Sequence, residues 1–168
     1  MDRLGEALVP LLPGALVGNS MGCQAAVEVA IRRPELVSHL VLMGPTLDPH
    51  LRPWPKIVPR FLFDCAREPP SLWLIIARDY AATGPRRFIG MARYANAHHI
   101  EQRLPLVTQP TMVLSGALDG FVSQRWCEEA AALLPRGRVV VVPGQPHAVH
   151  YTAPAVVAQE IEQHLDER

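Results

Sequence analysis

The pentapeptide Gly18-Asn19-Ser20-Met21-Gly22 constrains the fold of this 168-residue chain more than any other stretch. It joins an apolar run, Gly14–Val17, to a helical pattern from Gln24 to Arg33. Strand, Gly-x-Ser-x-Gly and helix in direct succession demand a very tight turn that lifts a serine hydroxyl clear of the sheet edge. Side chains two residues either side of the serine would meet the crossing strand and helix, so glycine is expected to be required at both Gly18 and Gly22. Ser20 then stands at a helix N-terminus. There the backbone N–H of Met21 would face an oxyanion, and the helix dipole would favour its charge. Ser20 is a candidate nucleophile; the plainer reading is a Ser/Gly turn that only opens a helix.

Around this turn, apolar runs alternate with helical patterns. Residues 2–9 read as a short helix ended near Pro10 and Pro13, and residues 14–18 as a strand. Residues 21–33 read as a helix that packs through Ala25, Ala26, Val29 and Ala30 and stops at Pro34. Val37–Met43 is nearly all apolar, as a parallel strand covered on both faces must be. Strands return at 111–115 and 138–142, separated by a helix over 123–134 with Ser123 as its N-cap. A final helix has Pro154 in its first turn and runs to about Asp166.

Residues 48–105 differ in character. Prolines recur at 53, 55, 59, 69, 70, 85 and 105, and helical patterns fall at about 56–66, 71–82, 85–96 and 98–103, with no β-rich run. This is an all-helical insertion between two strands, and long insertions of that kind usually serve function. Its large apolar residues, among them Phe63, Trp73, Ile75, Ile76, Phe88, Met91 and Tyr94, are expected to form mostly its own core, with a few turned to the sheet rim. The fold class is therefore α/β: about four strands in a mostly parallel sheet flanked by helices. Residues 1–47 and 106–168 form the two parts of the core, and 48–105 the insertion.

Ligand sites in such sheets lie beyond the carboxyl ends of the strands. Ser20, Asp119 and His147 each fall just past the end of a different strand, so all three are expected on one rim. With the Gly116-Ala117-Leu118-Asp119 turn and the Gly144-Gln145-Pro146-His147 loop following the serine turn in that order, the sequence resembles a member of the α/β-hydrolase superfamily, of the capped serine esterase type. The resemblance extends over essentially the whole chain. It implies Ser20 as nucleophile, His147 as base, Asp119 as the acid that orients the imidazole, the Met21 N–H as an oxyanion donor, and 48–105 as a helical cap. It also implies hydrolysis of a small or medium, mostly apolar ester or related carbonyl substrate through an acyl-enzyme, with no cofactor. A cofactor-free haloperoxidase or a C–C bond hydrolase would use the same residues. Asp48 follows the second strand and competes for the role of acid, although the G-x-x-D turn favours Asp119. His150 competes with His147, but is expected to pack against the cap or the rim. Arg52, Arg60, Arg86 and Arg87 read as solvated surface before they read as sites for a substrate carboxylate.

Sixteen basic and sixteen acidic side chains cancel, which removes the basic excess a nucleic-acid surface needs. The apolar runs Leu72–Ala77 and Val139–Val142 are too short to span a bilayer, and no secretory signal is visible. Cys23, Cys65 and Cys127 are odd in number and scattered, and read as small buried thiols in a reducing, cytoplasmic compartment. His98 and His99 have no third partner nearby, so no metal site is expected. One departure from the family stands out. Only 13 residues precede the first strand, whereas the second oxyanion donor of the family comes from a loop after an earlier strand. The chain is accordingly expected to be the C-terminal part of a longer protein. Two alternatives are a homodimer that rebuilds the sheet through the edge strand 14–18, and a degenerate, non-catalytic module that binds an apolar ligand or a second chain.

Overall fold

The computed structural model describes residues 14–52 and 54–166. The helix expected over residues 2–9 lies outside them. Four strands, β1 (Gly14–Asn19), β2 (Val37–Met43), β3 (Thr111–Gly116) and β4 (Gly137–Val142), form one sheet in the order β1-β2-β3-β4. Each neighbouring pair is parallel. Helices α1 (Gly22–Arg32) and α5 (Gln124–Leu133) make the crossovers from β1 to β2 and from β3 to β4. A short helix, α6 (Val149–Thr152), and a longer one, α7 (Pro154–Asp166), follow β4. The expected strands all form; α6 is an additional turn.

Strand side chains alternate between faces, and both faces are covered. Leu40, Leu42 and Val113 pack with Cys23, Val27, Trp126 and Cys127 on one side. Val41, Met43, Met112 and Leu114 pack with Val149 and Val157 on the other. This two-sided burial explains why β2 and β3 read as continuous apolar runs. Ser123 caps α5 as expected, accepting the Trp126 N–H.

Between β2 and β3 run α2 (Trp54–Cys65), α3 (Pro70–Thr83) and α4 (Pro85–Ala97), then two single turns at Ile100–Gln102 and Leu104–Leu106 in place of the helix expected over 98–103. The insertion does not build the core expected of it. Phe63, Ile75, Phe88, Met91 and Tyr94 are exposed, and Leu74 is 76% exposed; Ile57, Leu72 and Ala95 are buried. In α3 the run Leu72–Ala77 spreads apolar side chains round the helix, so no single face can bury Leu74 and Ile75 with the rest. Polar bonds anchor the insertion instead. Gln24 Nε2 donates to Thr46 O and Ala95 O, each at 3.0 Å. Buried Glu28 accepts from Arg103 Nε at 2.8 Å and lies 3.1 Å from His98 Nε2. Burial pushes the Glu28 carboxyl up, but Arg103 and His98 more than offset this and hold it below its ordinary range.

Candidate active site

Ser20 is the one non-glycine with positive φ among the described residues, at 52°. Such a backbone costs energy for any side chain and persists only where its surroundings enforce it. Here the Ser20 N–H donates to Met43 O at 2.8 Å and its carbonyl accepts the Cys23 N–H at 3.1 Å. Glycine is demanded at position 18, where a Cβ would lie 2.9 Å from the Cys23 backbone. It is not demanded at position 22, where none of the described neighbours lies within 4 Å of a Cβ. The sequence expectation of two required glycines is thus corrected to one. Met21 is the residue immediately before α1, at its positive end.

Past the ends of β3 and β4, Asp119 and His147 meet. His147 Nδ1 and Asp119 Oδ2 are 2.8 Å apart, with side-chain exposures of 13% and 2%. Asp119 Oδ1 accepts the N–H groups of Phe121 at 2.9 Å and Val122 at 2.7 Å, which fixes the carboxylate. The ionised carboxylate can only accept, so Nδ1 carries the proton and Nε2 is left as the basic nitrogen. The Phe121 ring stands edge-on to the imidazole at 5.4 Å. Below the pair runs bare backbone. Gly44, at φ 52°, has no room for a Cβ, which would lie 2.7 Å from His147 Cε1 and 2.9 Å from Nδ1. Burial alone would lower the imidazole pKa, but the Asp119 bond and the charges of Asp119, Asp64 and Glu68 raise it above the ordinary value. His147 Nε2 is buried and without a hydrogen-bond partner, so it makes no bond to Ser20. The two residues line one cavity of about 250 Å³.

The competing acid, Asp48, is engaged elsewhere. It accepts Ser123 Oγ–H at 2.5 Å and the His50 N–H at 2.8 Å, and so ties the start of the insertion to the cap of α5. His150 lines the cavity, and burial with the neighbouring His147 pushes its pKa down. Arg52 pairs with Glu101 at 2.9 Å and with His99, while Arg60, Arg86 and Arg87 are exposed. Among the described residues no group of three His, Cys, Asp or Glu side chains is arranged to hold a metal ion, and no helix is long and apolar enough to cross a membrane.

Two site residues escaped the sequence reading. Asp64, near the end of α2, accepts the Gly120 N–H at 2.9 Å; Glu68, one turn later, accepts the Ala148 N–H at 2.7 Å through Oε1. Each N–H belongs to the residue immediately after Asp119 or His147, so the insertion grips both loops. The i, i+4 spacing that lets one helix end do this is visible in the sequence. Its target is not. Burial raises the pKa of both carboxyls. The apolar wall of the cavity comes from Leu72, Trp73, Ile76, Tyr80 and Phe121.

A family model described as "Alpha/beta hydrolase family" matches residues 2–160. A protein of Klebsiella pneumoniae (strain 342) given the provisional name carbamate hydrolase RutD is 26% identical over 160 residues, covering 82% of this chain and 60% of that protein. The pimeloyl-(acyl-carrier protein) methyl ester esterase of Aromatoleum aromaticum (strain DSM 19018 / LMG 30748 / EbN1) is 26% identical over 196 residues, covering 96% and 78%. The crystal structure of an α/β hydrolase enzyme from the metagenome of Mar Chica lagoon sediments, Morocco, superposes with a TM-score of 0.74 at 20% identity, covering 99% of this chain and 68% of that one. The chain thus spans 60% of the length of the Klebsiella relative.

Proposed function

The chain belongs to the α/β hydrolase family, and on that premise we propose that it is a serine hydrolase working through an acyl-enzyme. The observation that carries this reading is the basic nitrogen of an Asp119-held imidazole lining the same cavity as a serine forced into positive φ at a helix N-terminus. Ser20 Oγ attacks the substrate carbonyl carbon and its proton passes to His147 Nε2. Asp119 stays ionised and steadies the imidazolium. The oxyanion takes the Met21 N–H, and the proton on His147 leaves with the departing alcohol. Water, activated by the same imidazole, then frees the acid.

The substrate is a small or medium ester or related carbonyl compound, with its apolar part against Leu72, Trp73 and Ile76 of the insertion, which acts as a cap. The relatives' names, a carbamate hydrolase and a methyl ester esterase, fit that class. The free thiols Cys23, Cys65 and Cys127 suit the cytoplasm. The test is intact mass and peptide mapping after exposure to a fluorophosphonate. A single adduct on Ser20, lost in Ser20→Ala and strongly slowed in His147→Ala, is expected; a folded chain that takes no adduct, or takes it elsewhere, refutes the reading.

A second reading is a non-catalytic module that pairs through its sheet edge. It is favoured by β1, outermost of the described strands, whose Val17 is 43% exposed. Sedimentation at low micromolar concentration decides it: dimers that dissociate on dilution support it, and a monomer at all concentrations rules it out.

A further inference from the structure

We infer that the cavity recognises a substrate carrying a cationic or N–H donor group, an ammonium or amide, which pairs with Glu68 and Asn19 and sets the specificity of the site. The inference takes from the hydrolase reading only the term substrate. Glu68 is 8% exposed, and while its Oε1 accepts the Ala148 N–H, its Oε2 is buried with no partner among the described residues. The side-chain oxygen of Asn19, the residue before the candidate nucleophile, is likewise buried and has no partner among the described residues. Both residues line the cavity with Ser20 and His147. Buried polar atoms in native proteins are nearly always bonded, and each exception calls for an explanation. When ionised, the Glu68 carboxylate can only accept, so what completes it then is a donor.

Charge points the same way. Asp64 and Glu68 line the cavity with His147 and His150, no lysine or arginine is among the described residues of its wall, and Asp119 is bonded to His147. Arg67, one residue from Glu68, is turned away: it donates to Leu118 O at 2.9 Å and lies over the Phe63 ring at 4.1 Å. Asp119, Asp64 and Glu68 all bear on His147, so acidic groups predominate around that imidazole. The wall also carries Trp73 and Tyr80, and aromatic faces attract ammonium groups. Trp73 is held in place by its Nε1–H, which donates to Cys65 O at 2.9 Å. The clamp on Ala148 does not itself require a carboxylate, since a glutamine carbonyl would accept that N–H as well. Only a carboxylate leaves a second, charged acceptor behind.

The test reads binding, so it stands apart from turnover. The full chain is titrated at pH 8 with 3-phenylpropylammonium, 3-phenylpropanol and 3-phenylpropionate, which match in size and differ in charge. Tryptophan fluorescence reports binding, and loss of the response in Trp73→Phe assigns it to this cavity. The ammonium is expected to bind at least tenfold more tightly than the alcohol, with the carboxylate weakest. Glu68→Gln, which keeps the Ala148 clamp, should reduce the ammonium-to-alcohol ratio to below threefold. Asn19→Leu should reduce it as well, and serves if Glu68→Gln fails to fold. Equal affinities for the ammonium and the alcohol, tightest binding of the carboxylate, or no Trp73-dependent response at millimolar ligand would each overturn the inference. An absent fluorophosphonate adduct beside a clear ammonium preference would overturn the hydrolase reading alone.

Discussion

Replacing Gly44 by alanine tests whether the His147–Asp119 geometry governs reactivity at Ser20. The added Cβ would lie 2.7 Å from His147 Cε1 and 3.4 Å from Asp119 Oδ2. The first distance is about 1 Å short of an ordinary carbon–carbon contact. The imidazole cannot yield cheaply: Asp119 holds one edge at 2.8 Å, Phe121 stands against it, and Glu68 pins the next residue. The backbone at φ 52° adds its own penalty, about 1–2 kcal/mol for a residue with a Cβ in the left-handed region. Strain and repacking together should cost about 2–3 kcal/mol of stability. At this chain length that lowers Tm by roughly 4–12 °C. Displacing a catalytic group by about 1 Å costs on the order of a hundredfold in rate. The assay pairs the second-order rate of fluorophosphonate labelling at Ser20 with thermal unfolding. Gly22→Ala is the matched control, since its Cβ meets nothing within 4 Å. It should label at the parent rate and gain a few tenths to about 1 kcal/mol, as alanine does over glycine in a helix. A folded Gly44→Ala protein that labels as fast as the parent would refute the role given to His147.

Three further outcomes are expected. Asp119→Asn should slow labelling by about a thousandfold or more, whereas Asp48→Asn, whose one remaining carbonyl oxygen cannot accept from both Ser123 and His50, should lower Tm with labelling within about threefold of the parent; stopped-flow labelling of folded variants separates them. The base must be neutral to act, and its folded pKa is raised, so labelling should rise with pH through a midpoint above the imidazole reference of 6.5, and Glu68→Gln or Asp64→Asn should move that midpoint down. Glu28 has a lowered folded pKa, so its contribution is fully present above the unfolded value of 4.5 and is lost as pH falls through the folded one; urea melts at neutral pH and near pH 4 should show a smaller acid-induced loss in Glu28→Gln than in the parent.

The α/β class, the position of each strand, the serine turn and the order Ser20, Asp119, His147 could all be read from the chain, because each leaves a local mark. A strand buried on both faces must carry a continuous apolar run, as Leu40–Met43 and Met112–Leu114 do within β2 and β3. A serine in a strained turn needs a glycine where the backbone crowds it, as at Gly18. Caps and stops such as Ser123 and Pro34 act within a turn of their own positions. Tertiary structure alone decided what depends on how distant segments approach one another. It brought Asp119 and not Asp48 to His147, left space around Gly22 and removed it above Gly44, and left the insertion's apolar residues on its surface. It also carried Glu68 to a backbone N–H 80 residues away. A side chain's local pattern fixes the element it joins; the partner it meets depends on the angles at which those elements pack, and these are set by the whole core at once.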